Sequence, residues 1–366
     1  MPLETFGCQM NKADSARLME QFRIKGYDQV EDKDNADILI YNTCSVREHA
    51  EQKALSHIGR LKFLKAKKPD IRICVIGCMA QRKKEEIKND FKQVDYVIGP
   101  STMLRLPKLL ENDCTGVFPD TEETLKEFYE YYPDYVSRSK DFSRYIPVMK
   151  GCSNYCSYCI VPYVRGNEQY RKKEDIIDEC SKLADAGITE IMLLGQSVNS
   201  HPQFMDILYS LSQISHIERI RFVTSYPGKM DESLVDMIAS TPVLCNYFHI
   251  PVQSGSDKIL QKMNRKYSIS RYIEIADYIR KRIPRAAISS DFIVGFPSET
   301  EEDFNKTFEL IERLEFDQCF TFKYSPRPGT EAAKWEDDVP INSKKEHLPR
   351  RLSCKILFFR CSRFLI

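Results

Sequence analysis

Apolar positions in the first third of the chain alternate between short continuous runs and helical spacing. Residues 3–6, 38–42, 71–76 and 94–98 read as strands, whereas 14–25, 47–65 and 81–90 repeat at the helical period, the first halted by Gly26. Strand and helix in alternation predict a small doubly wound parallel sheet over residues 1–110. The alternation returns later. Strands are expected at 144–149, 190–194, 219–224, 247–252, 288–294 and 318–324, with helices at 174–186, 204–214, 232–239, 271–282 and 301–314. Six βα units in about 185 residues fall short of the usual eight and predict a partial (β/α)6 barrel over 144–330. The expected fold class is α/β throughout.

Between these halves the periodicity lapses. Residues 111–134 hold eight acids against Lys126 alone, with Pro119, Pro133 and a run of tyrosines that includes Tyr129, Tyr131, Tyr132 and Tyr135. Residues 111–143 read as a linker carrying one short helix over 122–132. Aromatic faces can stack on bases, but the surrounding acids would repel phosphate, so packing between the two halves is the favoured reading. After residue 330 the pattern fails again. Residues 343–363 hold seven Lys or Arg against Glu346, the runs 357–359 and 364–366 fit neither period, and Cys354 and Cys361 match no motif. A tail of roughly 20 residues is too short for an independent domain.

Composition narrows the classes. The 366 residues are 42% hydrophobic and 29% charged, as in a soluble globular protein, and the formal net charge of +1 carries no overall nucleic-acid footprint. No apolar run approaches the roughly 20 residues that span a bilayer, and the first residues do not form a signal peptide. The expected location is the cytoplasm. Thirteen cysteines in a reducing compartment point to metal ligation over disulfides.

Three of them lie in the run Gly151-Cys152-Ser153-Asn154-Tyr155-Cys156-Ser157-Tyr158-Cys159. CxxxCxxC is too tight for one helix face but suits a loop wrapped around a small object. Thiolates alone select zinc or an iron-sulfur cluster. Structural zinc takes four ligands and no fourth lies in the run, so Cys152, Cys156 and Cys159 read as holding a 4Fe-4S cluster with one iron open. A disulfide pair, or a zinc loop with a distant fourth ligand, is the competing reading of the motif by itself. Three more cysteines share a topological position. Cys8, Cys44 and Cys78 each follow a predicted strand, at spacings of 36 and 34 residues, one βα unit apiece. Loops at the carboxyl edge of one parallel sheet meet where such sheets bind ligands, so these thiols can share one cluster. Gly7 and Gly77 permit the close turns required. Cys74, Cys180, Cys245 and Cys319 fall within or beside predicted elements and read as core residues.

Polar residues gather at the expected strand ends of the barrel: Gln196 to Asn199, Ser225 to Pro227, Gln253 to Ser256, and Asp291 with Gly295, Phe296 and Pro297. Four in register beside three cysteines predict a pocket. Arg165 is suited to a bidentate carboxylate pair, and Arg265 and Lys266 to solvent or phosphate, with solvent favoured for these two.

CxxxCxxC after a strand resembles the signature of radical S-adenosylmethionine (SAM) enzymes. The stretches around Cys8, Cys44 and Cys78 resemble the methylthiotransferases, a subfamily with a second 4Fe-4S cluster; the sharpest match is Asn42-Thr43-Cys44-Ser45-Val46-Arg47-Glu48 with Ala50-Glu51-Gln52-Lys53, similar to the tRNA-modifying branch. The resemblance implies two 4Fe-4S clusters and SAM. Tyr158, Gln196, Ser225, Gln253 and Asp291 would lie around SAM, with Gly295 and Phe296 against its adenine. One cluster would cleave SAM, and the other would deliver methylated sulfide to C2 of N6-isopentenyladenosine at tRNA position 37. The implied partners are tRNA and an electron donor such as a flavodoxin or ferredoxin, with the enzyme a monomer off the membrane. The same chemistry on threonylcarbamoyladenosine in tRNA or on a ribosomal-protein aspartate is the nearer alternative, and a non-catalytic zinc-binding protein the more distant one. The family usually continues into a small RNA-binding barrel, TRAM, which residues 331–366 do not resemble.

Overall fold

The computed structural model describes residues 1–46, 48–127 and 141–346. Its first unit is a five-stranded parallel sheet in the order Leu3–Thr5, Ile38–Thr43, Arg72–Gly77, Tyr96–Ile98 and Gly116–Phe118. Alternation along the strands splits the apolar side chains between two faces. Ile38, Ile40, Cys74 and Ile76 face Leu18 and Phe22 of helix Gln9–Ile24, while Leu39, Tyr41, Ile73 and Val75 face Ala54, Ile58 and Leu61 of helix Glu48–Lys67. The sheet is therefore doubly wound, and Cys74 is a core residue.

Three local expectations are corrected. The first helix starts at Gln9, directly after Cys8, and not at residue 14. The helix expected over 81–90 is two pieces, Cys78–Lys83 and Glu85–Asp90, broken where Lys84 takes φ +46°. The stretch read as a linker supplies the fifth strand. Its Asp120 carboxylate then accepts the N–H groups of Ser101 and Thr102 at 2.8–2.9 Å, which ties it to the sheet unit. The helix expected over 122–132 is described as Glu122–Glu127. Tyr129, Tyr131, Tyr132, Tyr135 and the tail from residue 347 lie outside the described residues.

The second unit opens with strands Ser143–Pro147, Glu190–Leu194 and Arg219–Phe222, all parallel. Tyr247–His249, Ala287–Val294 and Gln318–Lys323 form a second parallel sheet. A parallel bridge from Ile220 to Leu244 joins the two into an open six-stranded barrel wall. Ile191, Leu193, Ile220, Phe222, Phe248, Ile288 and Phe292 pack against Ile176, Leu183, Ile207, Leu211, Val235, Ile275 and Ile279 of the covering helices. Cys180 lies fully buried in this core. Cys245 and Cys319 are only half-buried. A helix absent from the periodicity, Asp257–Lys262, follows the fourth strand. Thr300 and Asp303 form a reciprocal capping box on helix Glu301–Leu314, and Asp303 also accepts from Ser256 Oγ at 2.7 Å and Lys258 Nζ at 2.8 Å.

The two units meet along a packed seam. Met10 and Ala13 of the first helix contact Leu194, Tyr145, Met192 and Val223 of the barrel. Behind them Arg17 pairs with the fully buried Glu179 at 2.6 Å, and Arg171 pairs with its other carboxylate oxygen. Lys150 Nζ donates to Ser101 Oγ across the same seam at 2.6 Å, and burial pushes its ammonium down to about 7. Among the described residues no helix is long and apolar enough to cross a membrane.

Candidate functional site

Gly151 turns the chain out of strand Met149–Lys150 with φ +76°. A Cβ there would stand 2.1 Å from Asn167 O, so the cysteine loop can fold back on its own exit only through glycine. Cys152 N–H donates to Gly166 O at 3.1 Å and closes that fold. The loop is then pinned to the barrel after helix Asp257–Lys262. Ser157 Oγ donates to Lys262 O at 2.8 Å, Ser157 N–H to Met263 O at 3.1 Å, and Asn264 Nδ2 to Tyr155 O at 2.9 Å. Cys152 and Cys156 end up buried and Cys159 half-buried. Burial first, with Cys156 and Cys152 adding, pushes the Cys159 thiol up to about 12. Burial likewise raises Cys152, against an Asn154 side-chain donor at 3.3 Å.

Arg265 belongs to this loop's surroundings. Its Nη1 lies 3.4 Å from Cys156 Sγ, Nη2 donates to Pro251 O at 2.9 Å, and the guanidinium sits 4.9 and 5.0 Å from the Tyr226 and Tyr267 ring centres. The expectation of a solvated Arg265 is corrected: stacked aromatics and a thiol hold it. Lys266 is exposed, as expected.

The other trio gathers at the carboxyl edge of the five-stranded sheet. Gly7, at φ +121°, presses against Cys44, whose Cβ would lie 2.5 Å from an added Cβ. Gly77, at φ +96°, is equally close to Asn42 Oδ1. Asn42 and Asn11 interlock beneath: Asn11 Nδ2 donates to Thr43 O at 3.0 Å and Asn42 Nδ2 to Asn11 O at 3.0 Å. Cys8 Sγ lies 3.5 Å from Asn11 Oδ1. Cys78 is pushed up to about 12 by burial, with Arg165 opposing and Cys44 and Cys8 adding. Arg165 comes from the barrel. Its Nε donates to Cys78 Sγ at 3.2 Å and its Nη2 to Asp14 Oδ2 at 2.8 Å, so the expected bidentate carboxylate pair is a shared contact between a carboxylate and a thiol. Neither trio is contracted to a single-ion cage. Among the described residues no group of three His, Cys, Asp or Glu could hold a metal ion.

The pocket residues divide. Ser225 is buried, and Gln253, at φ +74°, is buried and bonds through its N–H to Asp291 O. Asp291 stands 3.5 Å from His249 Nε2. Gln196 Oε1 is buried with no partner among the described residues. Tyr158 packs edge-on to Phe296, ring centres 6.3 Å apart. Phe296 is itself a core residue among Ile259, Met263, Tyr324 and Ala332. Gly295 gives its N–H to Glu299, and an added Cβ would meet the Lys344 side chain at 2.3 Å. These two therefore offer a ligand backbone only.

The sequence reading missed Asn11, Asp14, Asn154 and the contact of Arg265. Asn11 stands three positions after Cys8 at a helix start, a spacing that carried a usable signal; Arg265 had none, because its partners come from separate strands.

The Radical SAM superfamily model matches residues 146–311, and the model described as Uncharacterized protein family UPF0004 matches residues 1–99. The chain is 45% identical over 359 residues to the tRNA-2-methylthio-N(6)-dimethylallyladenosine synthase of Thermoanaerobacter pseudethanolicus, covering 95% of this chain and 76% of that protein. The chain belongs to the radical SAM methylthiotransferase family. The synthase of the same name from Clostridium botulinum is 43% identical over 360 residues, covering 95% of this chain and 79% of that one. In fold, this methylthiotransferase is similar to the radical S-adenosylmethionine methyltransferase TsrM from Kitasatospora setae. That match has a TM-score of 0.68 at 15% identity and covers 87% of this chain and 73% of the other.

Proposed function

We propose that this methylthiotransferase modifies C2 of N6-isopentenyladenosine at position 37 of tRNA. The reading rests on two all-thiol trios, one at the sheet edge against the barrel's Arg165 and one in the barrel loop beside Arg265, in a chain 45% identical over 95% of its length to a synthase named for that product.

The donor sets fit iron-sulfur chemistry, since each trio offers soft thiols without a competing imidazole. Cys152, Cys156 and Cys159 would hold one 4Fe-4S cluster, and Cys8, Cys44 and Cys78 the other. With SAM bound, the first supplies oxidising power beyond any side chain, enough to attack an aromatic C–H. The protein's part is placement and charge. Arg265 keeps a cation against Cys156 Sγ. Gln196 Oε1 is a buried acceptor available to SAM, with Ser225, Gln253 and Asp291 as further polar groups of the pocket and Tyr158 of the cysteine loop packed against Phe296. His249 orients Asp291. The first helix, laid against Tyr145, Met192 and Leu194, excludes water from that edge of the barrel. An anticodon-loop nucleotide suits such a site because it can be splayed from its stack.

We assign the second cluster to the sheet unit and the first to the barrel. The enzyme would act as a cytoplasmic monomer reduced by a flavodoxin- or ferredoxin-type carrier. Mass spectrometry of tRNA nucleosides from a deletion strain tests the reading. Loss of methylthio-isopentenyladenosine with its unthiolated precursor accumulating is expected. Unchanged levels, or loss instead of the methylthio form of threonylcarbamoyladenosine, would overturn it.

A further inference from the structure

We propose that Arg165 is a positioning residue for the Cys8, Cys44 and Cys78 trio, holding that site's charge and its register to the SAM site; this rests on the two-cluster reading above. Arg165 ends the barrel helix Val161–Arg165, and the next residue, Gly166, gives its carbonyl to Cys152 N–H. One peptide link therefore separates a contact to the first trio from a side chain that reaches the second.

That side chain is 4% exposed and crosses the seam. Nε points at Cys78 Sγ, 3.2 Å away, and Nη2 serves Asp14 Oδ2 at 2.8 Å and Asn11 Oδ1 at 3.3 Å. The same Asn11 oxygen meets Cys8 Sγ. Arg165 and Asn11 thus bracket two of the three thiols, while Gly7 presses on the third. Three thiolates in a largely buried site concentrate negative charge, which is unfavourable unless compensated. A guanidinium with one donor on sulfur and another on a single carboxylate is a neutral ion pair whose positive end is turned to the sulfur. N–H···S bonds of this kind stabilise the more reduced state of a cluster and raise its potential. Lysine cannot copy the fork, because one ammonium does not reach both sulfur and carboxylate in fixed planar geometry.

The test reads the cluster directly. In the full chain carrying C152A, C156A and C159A, only the second trio can load, so its reduced EPR spectrum and midpoint potential are measured without overlap. Adding R165Q is expected to lower the potential and alter the spectrum while about four irons per chain remain. R165K should fall between R165Q and the parent. Identical potential and spectrum in R165Q would overturn the proposal. Should R165Q fail to fold or load, R165K decides alone: a shifted potential supports the role and an unshifted one removes it. A parent chain that takes up no iron would instead defeat the two-cluster reading beneath, and the proposal with it.

Discussion

A thiol buried among aliphatic side chains and a thiol buried beside a guanidinium differ in what they can become. Cys74 is raised well above its ordinary range by burial and by Asp95, among the apolar side chains of the sheet core, and stays a small packed residue. Cys78 and Cys156 are buried too, yet each has an arginine N–H within 3.4 Å of sulfur, Arg165 for one and Arg265 for the other. That contact places a fixed cation beside each sulfur, which Cys74 lacks in its apolar surroundings. Position along the chain had already separated these groups, since Cys78 and Cys156 follow strands and Cys74 lies within one. Two substitutions follow at this scale. Cys156→Ala should abolish SAM cleavage, whereas Cys44→Ala should spare cleavage and stop sulfur insertion, as read by product chromatography and tRNA nucleoside analysis. Equal loss of both activities in both variants would contradict separate roles.

Among the elements, helix Glu301–Leu314 and the turn before it carry a pH signature. Burial pushes the Glu299 carboxyl up to about 7, against the Gly295 N–H that it accepts and the nearby Lys344. The folded protein therefore binds that proton more tightly than the unfolded chain does. Its contribution is complete below the unfolded value and is lost as pH rises through about 7, on the order of 3 kcal/mol in all. Denaturant titration of anaerobic protein between about pH 5 and 8 should show stability falling, with a flatter profile for Glu299→Gln. Equal slopes would remove Glu299 as the cause. Most elements were legible because their apolar period is strong. Helix Asp257–Lys262 was not, and two further features escaped for different reasons. Strand Gly116–Phe118 is three residues long in acidic surroundings, and its existence depends on pairing with Tyr96–Ile98. The helix break at Lys84 has neither Gly nor Pro to announce it, although Arg82, just before it, is drawn to Glu51 and Ser45.

At the scale of the whole molecule, the seam locks the two units together. Its contacts join residues far apart in sequence: Arg17 with Glu179, Lys150 with Ser101, Arg165 with Asp14, and Ser325 Oγ with Glu48 Oε2 at 2.7 Å. No spacing rule reaches across such separations, so the seam was not legible, although the strand-end placement of both cysteine sets was. Glu179 is one carboxylate set between two buried guanidiniums, Arg17 and Arg171. Glu179→Gln should cost about 3 kcal/mol, because it withdraws a buried charge paired with both. A denaturation midpoint equal to that of the unaltered chain would mean that the pairs contribute no net stability.

The central claim is that the two trios each hold a 4Fe-4S cluster, and iron and acid-labile sulfide counting on anaerobically reconstituted protein tests it most directly. The account predicts about eight irons and eight sulfides per chain, falling to about four of each when either trio is changed to alanine. About four irons in the unaltered chain, or bound zinc in place of iron, would contradict it.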